Sequence, residues 1–148
     1  MKAKRKTVDG QLADWRACEE GVAWAKGKMP KVAWETCPRG DWLIWAAGKA
    51  GISPMLLVKA IIPAARRSLV HVPAGEDRPR LAIEAAERCL EHPTPENRSA
   101  AYAAASAAYA AWSAADAAGA SEHARCADDV RALISWSMIL AAMKNAKA

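Results

Sequence analysis

The stretch Asp41-Trp42-Leu43-Ile44-Trp45-Ala46-Ala47-Gly48-Lys49-Ala50-Gly51-Ile52-Ser53-Pro54 reads as one helix with both ends marked, followed by the start of the next. Asp41 is a residue type that caps a helix N-terminus, Trp42 to Lys49 form the body, and Gly51 can adopt the left-handed conformation that ends it. Ser53-Pro54 repeats the start signal, a capping hydroxyl followed by a proline whose missing N–H costs nothing in a first turn. Trp42 and Trp45 stand about one turn apart, so they share a face, expected to be core.

The same punctuation continues in both directions. Toward the N-terminus, Asp9 is expected to cap a helix running to about Lys26, in which Leu12, Trp15, Cys18, Val22 and Ala25 recur at three- and four-residue steps. Gly27 and Pro30 stop it, and Pro30 opens a short helix through Trp34 to about Thr36, ended by Pro38 and Gly40. Toward the C-terminus, Ser53-Pro54 opens a helix from Met55 to about Val72. Pro63 lies inside it and predicts a kink or a division into two. The loop Val72 to Asp77 leads to Arg78-Pro79 and a helix to about Glu91. Thr94-Pro95 starts an alanine-rich helix reaching Gly119, and Ser121 caps a last helix to about Asn145. No segment alternates as a strand would. The fold class is therefore all-α, a single-domain bundle of about seven helices over residues 9–145, with residues 1–8 as a basic flexible tail and 146–148 as a short C-terminal one.

The alanine-rich helix contains an internal repeat. Ser99-Ala-Ala-Tyr102, Ser106-Ala-Ala-Tyr109 and Ser113-Ala-Ala-Asp116 follow a seven-residue period, which puts the serine and tyrosine positions on one stripe. Small side chains all round let neighbouring backbones come close, so this helix is expected at the centre of the bundle.

Composition agrees. Alanine makes up about a quarter of the 148 residues, aromatics only 6%, and Phe is absent. The formal charge is +5, which invites a nucleic-acid reading until the charges are placed. Lys2, Lys4, Arg5, Lys6, Lys144 and Lys147 are terminal, and taking these six from the 21 Lys and Arg leaves 15 against 16 acids. Lys2, Lys4, Arg5 and Lys6 are the candidate contacts for the alternative function, weak binding of a nucleic acid by counterion release. No apolar run follows the basic start and none is long enough to span a bilayer, so no membrane association and a cytoplasmic location are expected.

Cys89-Leu-Glu-His92 and His123-Ala-Arg-Cys126 each put a thiol and an imidazole on one helix face, formally a Cys2His2 set. Their separation matches no zinc motif, and the plainer expectation is buried thiols beside surface histidines, with no metal and no cofactor. His71, between two valines, is expected at the surface. The sequence has no Gly-rich phosphate loop and no nucleophile motif, so no catalytic residue is assigned. Trp34 and Arg39, flanking the Pro38-Arg39-Gly40 turn, have the composition of a protein-binding hot spot.

Ala17-Cys18-Glu19-Glu20-Gly21-Val22-Ala23-Trp24, the segment Trp34 to Trp45, the loop Val72 to Pro79 and the alanine–tyrosine repeats together resemble the fifth class of bacterial immunity proteins, found in polymorphic toxin loci and in phages. The resemblance covers roughly residues 10 to 135. Its most specific piece is Gly40-Asp41-Trp42-Leu43-Ile44-Trp45, while Pro63 and Arg88-Cys-Leu-Glu-His92 depart from the family's pattern. It implies an all-helical, non-enzymatic domain that binds and inhibits another protein, a toxin or a defence-system component. Trp34, Arg39, Asp41, Glu76, Asp77 and Arg78 are the candidate contacts; all but Trp34 lie in predicted loops.

Overall fold

The computed structural model describes residues 8–100 and 119–146. Every regular element among them is helical. The order is α1 (Val8–Asp14), α2 (Glu19–Ala25), α3 (Pro30–Thr36), α4 (Gly40–Ala50), α5 (Pro54–Ser68), a 3-10 turn (Leu69–His71) and α6 (Arg78–Glu91). A helix α7 covers residues 95–100, and α8 (Ala120–Leu133) and α9 (Trp136–Asn145) complete the set. The repeat-bearing part of the alanine-rich helix, expected at the centre of the bundle, lies at residues 101–118 and so outside the described residues, as do Lys2, Lys4, Arg5 and Lys6.

Several expected boundaries are where the side chains predict them. Ser53 Oγ accepts from the Leu56 amide and Thr94 Oγ1 from the Asn97 amide, so both cap-plus-proline signals start helices. Gly51, at φ 102°, ends α4; its amide bonds the Gly48 carbonyl and the Ile52 amide bonds the Ala47 carbonyl. This is a Schellman closure, and it turns Ile52 into the core.

Other boundaries differ. The first helix is two, because the chain turns left-handed at Arg16 (φ 58°) with the same closure: Arg16 N to the Ala13 carbonyl and Ala17 N to the Leu12 carbonyl. The last helix is also two. Ser135 Oγ accepts from the Met138 amide and starts α9, while the start of α8 falls at Ala120 rather than being capped by Ser121. α5 runs through Pro63 as a single helix and passes into the 3-10 turn. Asp41 is not the cap of α4; Arg39 holds that position and Asp41 sits in the first turn. Val8 belongs to α1 and is buried, so the helical region starts one residue earlier than expected.

The centre of the described core is α8, packed between α4 and α5. Ala127, Val130 and Ile134 of this region are fully buried. In the same cluster are Leu43 and Ala47 on α4 and Ala60 and Ala64 on α5, and the three alanines are small enough to allow close helix approach. Gly40 takes this furthest, since a Cβ there would come within 2.3 Å of Cys126 Sγ. α6 packs on the outer side of α5, α9 against α4 and α3, and α1 against α2. A smaller cluster of Val8, Ala25 and Ala33, with Leu12 and Trp24, joins the N-terminal helices.

Candidate functional site

Seven of the nine aromatic residues in the chain are tryptophans, and six of these line a single cavity of about 1180 Å³: Trp15, Trp24, Trp34, Trp42, Trp45 and Trp136. Four of them pair across helices. Trp15 meets Trp45 edge-on at 6.2 Å between ring centroids, and Trp24 meets Trp42 at 6.1 Å. The lining also includes Val58, Ile61 and Ile62 of α5, Ile83 of α6, and Ile139 and Leu140 of α9. The described lining contains two charged side chains, Arg16 and Asp41.

Cations stand over three of the indoles. Lys28 Nζ lies 4.6 Å from the Trp24 ring centroid, the Arg39 guanidinium carbon 4.8 Å from that of Trp42, and Lys49 Nζ 5.8 Å from that of Trp45.

At the N-terminus of α4, Arg39 grips Asp41 with two bonds, Nε to Oδ1 at 2.9 Å and Nη2 to Oδ2 at 2.6 Å. His123 Nδ1 of α8 lies 3.6 Å from Asp41 Oδ1. Burial alone raises the pKa of the Asp41 carboxyl; the bonds and charge of Arg39, with His123 behind, outweigh it, and the net shift is downward. Arg131 of α8 donates to the Cys37 carbonyl at 2.8 Å and to the Trp34 carbonyl at 3.3 Å, satisfying carbonyls at the end of α3. Arg67 of α5 reaches Glu122 and Asp129 of α8, both at 2.7 Å.

A second charged group surrounds the start of α6. Arg78 grips Glu76 with both nitrogens, and Glu76 also accepts from the Arg78 amide at 3.0 Å. The two kinds of bond from Arg78 hold the Glu76 carboxyl down at about 2. Arg80 pairs with Asp77 at 3.3 Å and with Glu84 at 2.7 Å. In the sequence on either side of this array two apolar side chains are exposed, Val70 at 81% and Leu81 at 50%.

The sequence-predicted contacts thus divide into three. Arg39 and Asp41 come together at the start of α4, with His123 as a third member that the sequence did not suggest. Glu76, Asp77 and Arg78 come together at the start of α6. Trp34 joins neither group: it is 5% exposed and donates Nε1 to the Ile134 carbonyl at 3.2 Å, so it is a core residue. Trp45, expected in the core, is 36% exposed at the cavity edge. Of the two thiol–imidazole pairs, Cys89 and Cys126 are buried as expected, but His123 is buried too, under Asp41. His71 and His92 are exposed. Among the described residues no group of three or more His, Cys, Asp or Glu could hold a metal ion, and no helix is long and apolar enough to cross a membrane.

The cavity was not anticipated. Its signal was the use of tryptophan for nearly all aromatic bulk, at positions in the turn after α1 and in α2, α3, α4 and α9 that only the tertiary fold brings together. No family model matches the chain, and no curated protein or solved structure is detectably similar to it.

Proposed function

We propose that the protein is a non-enzymatic cytoplasmic inhibitor that works by binding another protein, as an immunity protein neutralises a bacterial toxin. The observation that carries this reading is the surface over residues 70–81. Val70 and Leu81 are exposed apolar side chains, and in the sequence between them Glu76, Asp77 and Arg78 form a charged array already ordered by its own contacts. Exposed apolar residues with a polar rim are the composition of a protein-binding patch. Ordering the rim in advance lowers the entropy lost on binding. The resemblance to immunity proteins points the same way, and its Val72 to Pro79 segment falls in this region. A phage-borne copy could turn the same surface on a host defence protein.

The test is growth. The inhibitor reading requires a toxin encoded beside this chain, and co-expression with that neighbouring product is expected to restore growth of a bacterium that the product alone arrests. The Val70→Glu/Leu81→Glu double variant is expected to lose that protection while keeping the helical circular dichroism of the wild type. No rescue by the wild-type chain, or full rescue by the double variant, overturns the reading.

A further inference from the structure

We propose that the tryptophan-lined cavity is a binding site for an anionic amphiphile, an apolar chain ending in one acid group. This goes beyond the inhibitor reading and does not depend on it. A cavity of about 1180 Å³ is on the scale of ligand sites, which run to roughly 1,000 Å³. It also reaches deep into the molecule: Trp34, Leu43, Ile83 and Ile139, all buried, form part of its lining. Residues of α1 to α6 and α9 contribute to the lining, and its buried part gives room for an apolar chain.

The sign of the headgroup follows from the charges at the walls. Asp41, the acid in the described lining, is neutralised by Arg39. Arg16 lines the cavity; Lys28 and Lys49 are outside the lining but stand over the Trp24 and Trp45 indoles that belong to it, and Lys28 Nζ also donates to the Trp24 carbonyl at 2.5 Å. None of these three cations is ion-paired to a carboxylate among the described residues. The site therefore combines an indole-walled interior for hydrocarbon with one cation in its lining, Arg16, and two more at the indoles, none of them held by a carboxylate among the described residues. A neutral chain would leave that charge unused, and a cationic amphiphile would be repelled by it.

The experiment is a titration of the purified, delipidated full chain with cis-parinaric acid, followed by competition with myristate, 1-tetradecanol and tetradecyltrimethylammonium. The expected result is saturable one-to-one binding with energy transfer from tryptophan. Myristate should displace the probe about ten-fold more tightly than the alcohol, and the ammonium amphiphile should not compete. Lys28→Glu/Lys49→Glu is expected to weaken myristate about ten-fold and to leave the alcohol unchanged. Ile62→Glu, which puts a carboxylate into the apolar lining, should weaken acid and alcohol alike; the two lysine positions supply the test on a folded chain if that variant does not fold. Equal affinity for acid and alcohol, no saturable binding, or displacement by an acidic amphipathic peptide but not by myristate would each overturn the proposal.

Discussion

Gly40 lies directly against Cys126: a β-carbon at Gly40 would stand 2.3 Å from the Cys126 sulfur and 2.8 Å from its backbone carbon. The second contact is with main chain, so no side-chain rotation relieves it. This is where the start of α4 and the middle of α8 come together, and the registry of the described core depends on it.

Gly40→Ala is accordingly expected to destabilise the protein by about 3 kcal/mol, the upper part of the range for overpacking a core. Gly48, in the same helix, is the control. A Cβ there meets Leu57 Cδ1 at 3.5 Å, an ordinary contact. Gly48→Ala should therefore stabilise the protein by about 0.5–1 kcal/mol through helix propensity. Urea midpoints of the two variants, moving in opposite directions, check this pair.

Asp41 carries a pH dependence whose sign is fixed by its environment. Its folded pKa is depressed, so its contribution is fully present above the unfolded value, about 3.9, and is lost as the pH falls through the lower folded value. Asp41→Asn should flatten the loss of stability below about pH 4 relative to the wild type. Urea midpoints measured as a function of pH for both proteins read this out, and identical acid slopes would contradict it.

The four cysteines should divide one against three. Cys18 is exposed, whereas Cys37, Cys89 and Cys126 are buried. Burial pushes the Cys126 thiol up to about 12 and raises that of Cys37 as well, so neither forms thiolate near neutral pH. A disulfide reagent at pH 8 should label one thiol quickly, and the other three only as the protein unfolds.

Arg131 and Trp34 form a polar tie between α3 and the α8–α9 junction. Arg131 satisfies the Trp34 and Cys37 carbonyls, and Trp34 Nε1 satisfies that of Ile134. Trp34→Phe keeps most of the apolar volume and removes the Nε1 bond, and should cost about 1–3 kcal/mol. Arg131→Met should cost a similar amount, and the double variant should lose less than the sum if the tie acts as one unit. Thermal unfolding of the three variants gives the comparison.

The fold class was legible in the sequence because its start and stop signals are local chemistry. Ser53 and Thr94 needed only their own hydroxyls, and Gly51 only its freedom to turn left-handed. The break at Arg16 was not legible, because an arginine took a conformation usually left to glycine. The break at Ser135 was hidden by apolar residues that keep helical spacing through Val130, Ile134 and Met138. Asp41 was placed one step wrong for a physical reason: a carboxylate is favoured both at the cap and within the first turn. At the candidate sites, Glu76, Asp77 and Arg78 could be read from sequence because they contact near neighbours. The tryptophan cavity could not, since residues as far apart as Trp15 and Trp136 meet only in the folded chain.

Whether the segment 70–81 is a protein-binding surface is decided by calorimetric titration with the purified product of the neighbouring reading frame, which the inhibitor reading requires to be a toxin. A one-to-one complex is expected, with an affinity that falls by about thirty-fold or more in Val70→Glu/Leu81→Glu, the loss expected of hot-spot residues. An undetectable complex, or one whose affinity is unchanged in that variant, would contradict it.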